Sequence, residues 1–196
     1  MILWGKQYVW KLSPTVVPNV YARCNICPKY NPGKSLRGSQ GHFPLPKGPF
    51  EVWQLDFVQM PPSQGNKYSL VMICMFSHWV EAFPCRRAMA LTVGKLLLEK
   101  IIPTWGTPSE LHSDWGTHFT GQIIKSICDI WPIMWHFHCA YHPQSSGFVE
   151  RTNGAIKMQL GKFSEAFHLS WPKALLLVLL NLRSVPFGKH WLVLLK

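Results

Sequence analysis

Three carboxylates define the chemistry this chain could perform: Asp56 in Trp53-Gln-Leu-Asp56-Phe57, Asp114 in Leu111-His-Ser-Asp114, and Glu150 in Ser146-Gly-Phe-Val-Glu150. Thirty-five residues lie between Asp114 and Glu150. Hard divalent cations take oxygen ligands, and three carboxylates on separate elements can hold two of them. Such a pair activates an attacking oxygen and stabilises the leaving oxygen of a phosphodiester. Asp56 needs a partner for a second reason. A lone carboxylate inside an apolar strand is costly when desolvated and unpaired. Taken alone it would call for a plain salt bridge; beside two further carboxylates, metal ligation is the stronger reading.

Two other clusters suggest metal chemistry more weakly. Cys24-Asn-Ile-Cys27 has the spacing of half a tetrahedral zinc site. The first histidine is His42, so at most three ligands are at hand, and structural zinc sites close with four. Zinc binding by this segment is not expected. His136 and His138 fall on one face of a strand, but no third ligand is near in sequence, so they read as packing or solvent-facing residues. A Gly-x-Ser-x-Gly elbow and a P-loop are both absent from the sequence. Acyl transfer and nucleotide hydrolysis therefore have no support.

The elements that must position these groups follow from hydrophobic pattern. Residues 50–58 read as a strand in which Trp53, Leu55 and Phe57 share one face, and Val52, Gln54, Asp56 and Val58 the other. Tyr68–Phe76 is a near-continuous apolar run, the mark of a strand buried on both faces. Val80–Phe83 completes a meander. Ala88–Ile102 has helical spacing, with Leu91, Leu98 and Ile102 assigned to the core and Pro103 as the stop. Ser109–Ser113 is a short strand that delivers Asp114 at its C-terminal end, where chemistry gathers in α/β sheets. A helix over 119–131 with Ile123, Ile127 and Ile130 inward follows, then a strand over 134–141. The loop His142–Gly147 leads into a helix whose buried stripe is Val149, Ile156, Leu160, Phe163 and Phe167. Glu150 and Lys157 project together from the neighbouring stripe. The helix Trp171–Arg183 is apolar enough to pack on the core or on a second copy, which leaves a homodimer or tetramer open.

Composition adds a partner class. The net charge is +11, and residues 1–50 hold seven Lys/Arg and no acid, whereas the rest holds thirteen basic and nine acidic residues. A basic segment suits a polyanion, because phosphate contacts release counterions. The longest apolar run, Ala174–Leu180, is far short of the roughly 20 residues that span a bilayer, so no membrane partner is expected. With no secretory signal and one suggestive cysteine pair, an intracellular, reducing context is expected.

The stretches WQLDF, KYSLVMICMFSHWVEAFP, LHSDWGTHF, HCAYHPQSSGFVERTN and RSVP together resemble the catalytic core of retroviral integrases, in particular the gammaretrovirus-like group with its endogenous copies. The resemblance covers roughly residues 20–186. It implies an α/β, ribonuclease H-like mixed sheet, three antiparallel strands plus parallel strands, flanked by helices. It also implies residues 1–48 as a basic segment left from an HHCC zinc domain, with Cys24 and Cys27 its remnant. Residues 49–186 would be the catalytic core and 187–196 a divergent tail. The activity implied is polynucleotidyl transfer on DNA in the nucleus: trimming viral DNA ends with water, then joining the 3′-hydroxyl to target DNA. Asp56, Asp114 and Glu150 would ligate Mg²⁺ or Mn²⁺, and Tyr141, Gln144, Ser145, Asn153 and Lys157 would line the DNA end. Trp115 stands where the family usually has Asn, and Gly154 where it has a basic residue. The alternative they suggest is a catalytically inactive nucleic-acid-binding or interaction domain of the same descent.

Overall fold

The computed structural model describes residues 23–30, 46–138 and 143–184, without the side chains of Cys27, Pro28, His138 and residues 143–148. Five strands form one sheet in the order β3-β2-β1-β4-β5: β1 (Val52–Ser63), β2 (Asn66–Cys74), β3 (Val80–Cys85), β4 (Glu110–Asp114) and β5 (Met134–His138). β1–β2 and β2–β3 are antiparallel, and β4 runs parallel to both β1 and β5. This is the ribonuclease H-like mixed sheet implied by the resemblance. The meander comes first in the chain because short turns can join antiparallel neighbours, whereas parallel pairs need crossover helices.

The helices are α1 (Cys27–Tyr30), α2 (Ala90–Leu96), a π-helical turn Leu97–Ile101 running into α3 (Ile102–Trp105), α4 (Gln122–Ile130), α5 (Pro143–Phe167) and α6 (Trp171–Ser184). Alternation along β1 splits the core in two. Trp53 and Leu55 join Leu97, Ile101, Phe119, Ile124 and Ile127 on one face. Val58 and Met60 join Val149, Ile156, Leu160, Leu175 and Val178 beneath α5 and α6 on the other. Asp56 has the parity of the second face.

Three helical faces differ from expectation. In α5, Val149, Ile156 and Leu160 are buried as expected but Phe167 is exposed. Val93, Leu97 and Ile101 are buried, while Leu91 and Leu98 are exposed. The four-residue spacing of the buried set matches the wider π turn rather than a 3.6-residue repeat. The helix also runs through Pro103, which falls where the π turn joins α3. In α4, Ile124 and Ile127 are buried and Ile123 and Ile130 exposed. With isoleucines at four positions of one short helix, two stripes were available, and packing on α2 selects one. Cys74 is a buried free thiol, as its apolar strand predicts, and its Sγ accepts from the Phe50 and Ser77 backbone N–H groups. Cys139 lies outside the described residues.

Candidate active site

Asp56 sits at the middle of β1, opposite Val71 of β2, and Asp114 ends β4. The register Gln54↔His112 makes Asp56 and Asp114 neighbours two residues further along the parallel pair, on the face that α5 covers. From α5, Asn153 Nδ2 donates to Asp56 Oδ2 at 2.7 Å. Burial, and then the facing Asp114 charge, push the Asp56 carboxyl up to about 6; the Phe57 backbone, Asn153 and Lys157 pull against that rise. Asp56, Asp114, Asn153 and Lys157 are thus electrostatic neighbours. Glu150 precedes Asn153 by one turn of the same helix, a rise of about 4.5 Å, and is exposed.

The Asp114 loop is built around one glycine. The Gly116 backbone N–H donates to Asp114 Oδ1 at 2.9 Å. A Cβ at Gly116 would drive into the His118 ring and come within 2.9 Å of that oxygen. His118 Nε2 stands 3.8 Å from Asp114 Oδ1, and its ring meets Phe57 edge-on at 4.9 Å. Burial depresses the His118 pKa, with Asp114 opposing. His118 was invisible to sequence reasoning because its only cue was a spacing of four from Asp114 in a loop. Trp115, as β alternation requires, turns to the other side and packs on Phe137 with centroids 4.8 Å apart.

The donor set fits a hard divalent cation. Two carboxylates of like charge face each other, one of them largely buried, and the buried Asn153 Oδ1 beside them has no hydrogen-bond partner. All of these atoms are oxygen, the preference of Mg²⁺ and Mn²⁺. The three carboxylates are not gathered as tightly as a second group: among the described residues, the set of three whose donor atoms all lie within 4.8 Å is Glu110, His112 and His136. His136 therefore does have neighbouring ligand types, contrary to the reading from sequence; they come across the sheet rather than along the chain. Tyr141 lies outside the described residues, as do the side chains of Gln144 and Ser145 and the pairing of Cys24 with Cys27.

Residues 46–143 match the family model for the integrase core domain. The chain is 44% identical over 98% of its length to the Gag-Pol polyprotein of Walleye dermal sarcoma virus, of which it covers 11%. It is 40% identical over 88% of its length to the Gag-Pol polyprotein of Koala retrovirus, of which it covers 10%. The chain thus spans about a tenth of the length of these curated relatives. Among solved structures it is similar to a chain of the simian T-cell lymphotropic virus intasome in complex with PP2A regulatory subunit B56 gamma. That match has 28% identity and a TM-score of 0.67, covering 92% of this chain and 65% of that one. The catalytic core domain of BIV integrase matches at 30% identity and a TM-score of 0.60, covering 71% of this chain and 87% of that one. By sequence across half its length, and by fold across most of it, this chain belongs to the integrase core domain family of retroviruses.

Proposed function

We propose that this chain acts on DNA as an integrase-type polynucleotidyl transferase, with Asp56, Asp114 and Glu150 as the acidic ligands of two Mg²⁺ or Mn²⁺ ions. The observation that carries the reading is the Asn153–Asp56 hydrogen bond. It ties the helix bearing Glu150 to the strand bearing Asp56, on the sheet face where Asp114 ends β4. When bound, the ions supply activation of the attacking oxygen and stabilisation of the leaving oxygen. The chain's own residues do the positioning. Asn153 fixes the Asp56 carboxylate, the Gly116 N–H fixes that of Asp114, and Lys157 presents a cation two turns beyond Glu150 to a phosphate. No protein nucleophile is needed. Gln144 and Ser145, at the start of the same helix, and Tyr141 line the DNA end in this reading.

DNA is the macromolecular partner, the nucleus the place of action, and a homodimer or tetramer the working assembly. The similarity to a chain of an intasome supports assembly on DNA. Among the described residues no helix is long and apolar enough to cross a membrane. A second reading, a DNA- or protein-binding domain without catalysis, is favoured by Trp115, which is 62% exposed immediately after Asp114. A disintegration assay with Mg²⁺ or Mn²⁺ on the purified chain decides between them. Metal-dependent strand joining abolished by Asp56→Asn, Asp114→Asn and Glu150→Gln is expected; background turnover by the folded wild type supports the binding domain.

A further inference from the structure

Glu110 and His112 stand at positions i and i+2 of β4, so they share the α5-facing side of the sheet. His136 lies directly across from His112 on β5, the edge strand. The two imidazoles stack, with centroids 4.9 Å apart and planes at 27°. Both point a nitrogen at one carboxylate oxygen: His112 Nε2 is 3.2 Å and His136 Nε2 3.5 Å from Glu110 Oε2. Ligands bound at 2.0–2.2 Å in a tetrahedral zinc site are separated by about 3.4 Å. The two nitrogen–oxygen edges bracket that value, and all three donor atoms lie within 4.8 Å of one another. We propose that Glu110, His112 and His136 form a binding site for a borderline transition-metal ion of the zinc class, separate from the carboxylate centre.

The chemistry of the donors separates the two sites. Imidazole nitrogens favour Zn²⁺, Co²⁺, Ni²⁺ and Cu²⁺, whereas the all-oxygen set around Asp56 suits Mg²⁺ and Mn²⁺. Two histidines and one glutamate leave a fourth tetrahedral position for water. The frame is preorganised: His112 is 5% exposed and held in the ladder on both sides, with Gln54 on β1 and His136 on β5. An ion can still enter, because the Glu110 and His136 side chains are 34% and 46% exposed. Once bound, it would clasp the short edge strand β5 to β4. It would do so just before Asp114, in the part of the sheet that carries the carboxylate centre. Without an ion the same geometry is His112 hydrogen-bonded to the Glu110 carboxylate with the His136 ring 3.5 Å from the same oxygen, and the experiment must tell the two apart.

The full chain, stripped with chelator, is titrated with ZnCl₂ while thermal unfolding is followed. The visible spectrum with Co²⁺ is recorded in parallel. Zinc at a hundred times its Kd stabilises a folded protein by a margin set by mass action, so a rise of several degrees in Tm is expected. Any rise produced by MgCl₂ belongs to the carboxylate centre and should be unaffected by His136→Gln. The zinc-dependent rise should persist in Asp114→Asn, which alters the carboxylate centre, and in the double variant Cys24→Ser, Cys27→Ser, which removes the closely spaced pair of thiols. It should be lost in His136→Gln and in Glu110→Gln. Tetrahedral Co²⁺ absorption in wild type, missing from both of those variants, is the direct signature. The proposal is overturned if wild type shows neither a zinc-dependent rise nor a tetrahedral Co²⁺ spectrum. It is equally overturned if the response survives His136→Gln or vanishes with the cysteines.

Discussion

The environment of Asp56, half-buried and bonded to Asn153, has a measurable consequence. In the unfolded chain its carboxyl titrates near 3.8, while burial and the Asp114 charge hold it near 6 in the fold. Below about pH 4 both states are protonated and the group costs nothing. Between about pH 4 and 6 the unfolded chain loses its proton first, so stability falls across that window. Above it the loss is complete, at roughly 3 kcal/mol. With divalent ions removed, Asp56→Asn should therefore be more stable than wild type at pH 7 by roughly 2–3 kcal/mol and equal to it at pH 4. Urea unfolding of both proteins across this range checks it; parallel curves would contradict the Asp56 environment. Trp115 makes a second prediction. Its indole packs away from Asp114, on Phe137, so on the proposed function it should disturb the loop 115–119 rather than the carboxylates. Trp115→Asn should raise disintegration activity about 10- to 100-fold, the scale set by roughly 1 Å of misplacement, and leave Mn²⁺ affinity unchanged. Activity that stays at background in a folded Trp115→Asn protein would favour the non-catalytic reading. Both residues were legible because strand alternation fixes a side chain's face from sequence alone. Glu110, His112 and His136 were not, because their meeting depends on the β4–β5 register, which no single strand encodes.

At the scale of elements, strands were easier to read than helix faces. The buried run of β2 and the alternation of β1 each admit one arrangement. The stretch 90–105 contains a π turn, and a repeat measured at 3.6 residues assigns its core side chains to the wrong phase. The RSVP stretch acquires a structural role that resemblance alone does not supply. Arg183, at the end of α6, donates from Nε and Nη2 to Val80 O at 3.0 and 2.8 Å. Its Nη2 also meets Glu81 Oε2 at 2.6 Å, and the guanidinium lies 4.5 Å over the Trp79 ring. Trp79 Nε1 donates to the other Glu81 oxygen at 2.9 Å. The arginine thus pins α6 to β3, the sheet edge opposite β5. Removing it leaves a largely buried Glu81 without its cation, a loss of roughly 2–4 kcal/mol. Arg183→Ala should lower the urea midpoint accordingly without changing the slope. Arg183→Lys should recover little, since a point charge cannot reproduce the planar fork. Full recovery by lysine would mean that charge alone secures α6.

For the molecule as a whole, the uneven charge and the packing of α1 must be considered together. Part of the basic N-terminal segment is docked on the core: Lys29 Nζ bonds Glu165 Oε1 at 2.5 Å, and the Tyr30 ring lies against Gly161 so closely that a Cβ there would collide with it. Cutting away residues 1–49 would therefore expose α5 as well as remove charge, and any loss of DNA binding would be ambiguous. Exchanging Lys6, Lys11, Lys34, Arg37 and Lys47 for Gln removes five of the seven basic residues before Glu51 and leaves the Lys29–Glu165 pair in place. If the segment neutralises phosphates, the dependence of log K on log salt should flatten by about 0.9 for each phosphate no longer neutralised on duplex DNA. Lys157→Gln, on the helix that bears Glu150, should flatten the slope by about one further phosphate's share. Fluorescence anisotropy with a labelled duplex, over salt from about 50 to 200 mM, reads both quantities. A slope unchanged by all five substitutions, yet reduced by Lys157→Gln, would confine DNA binding to the face bearing Lys157 and make the basic segment a bystander.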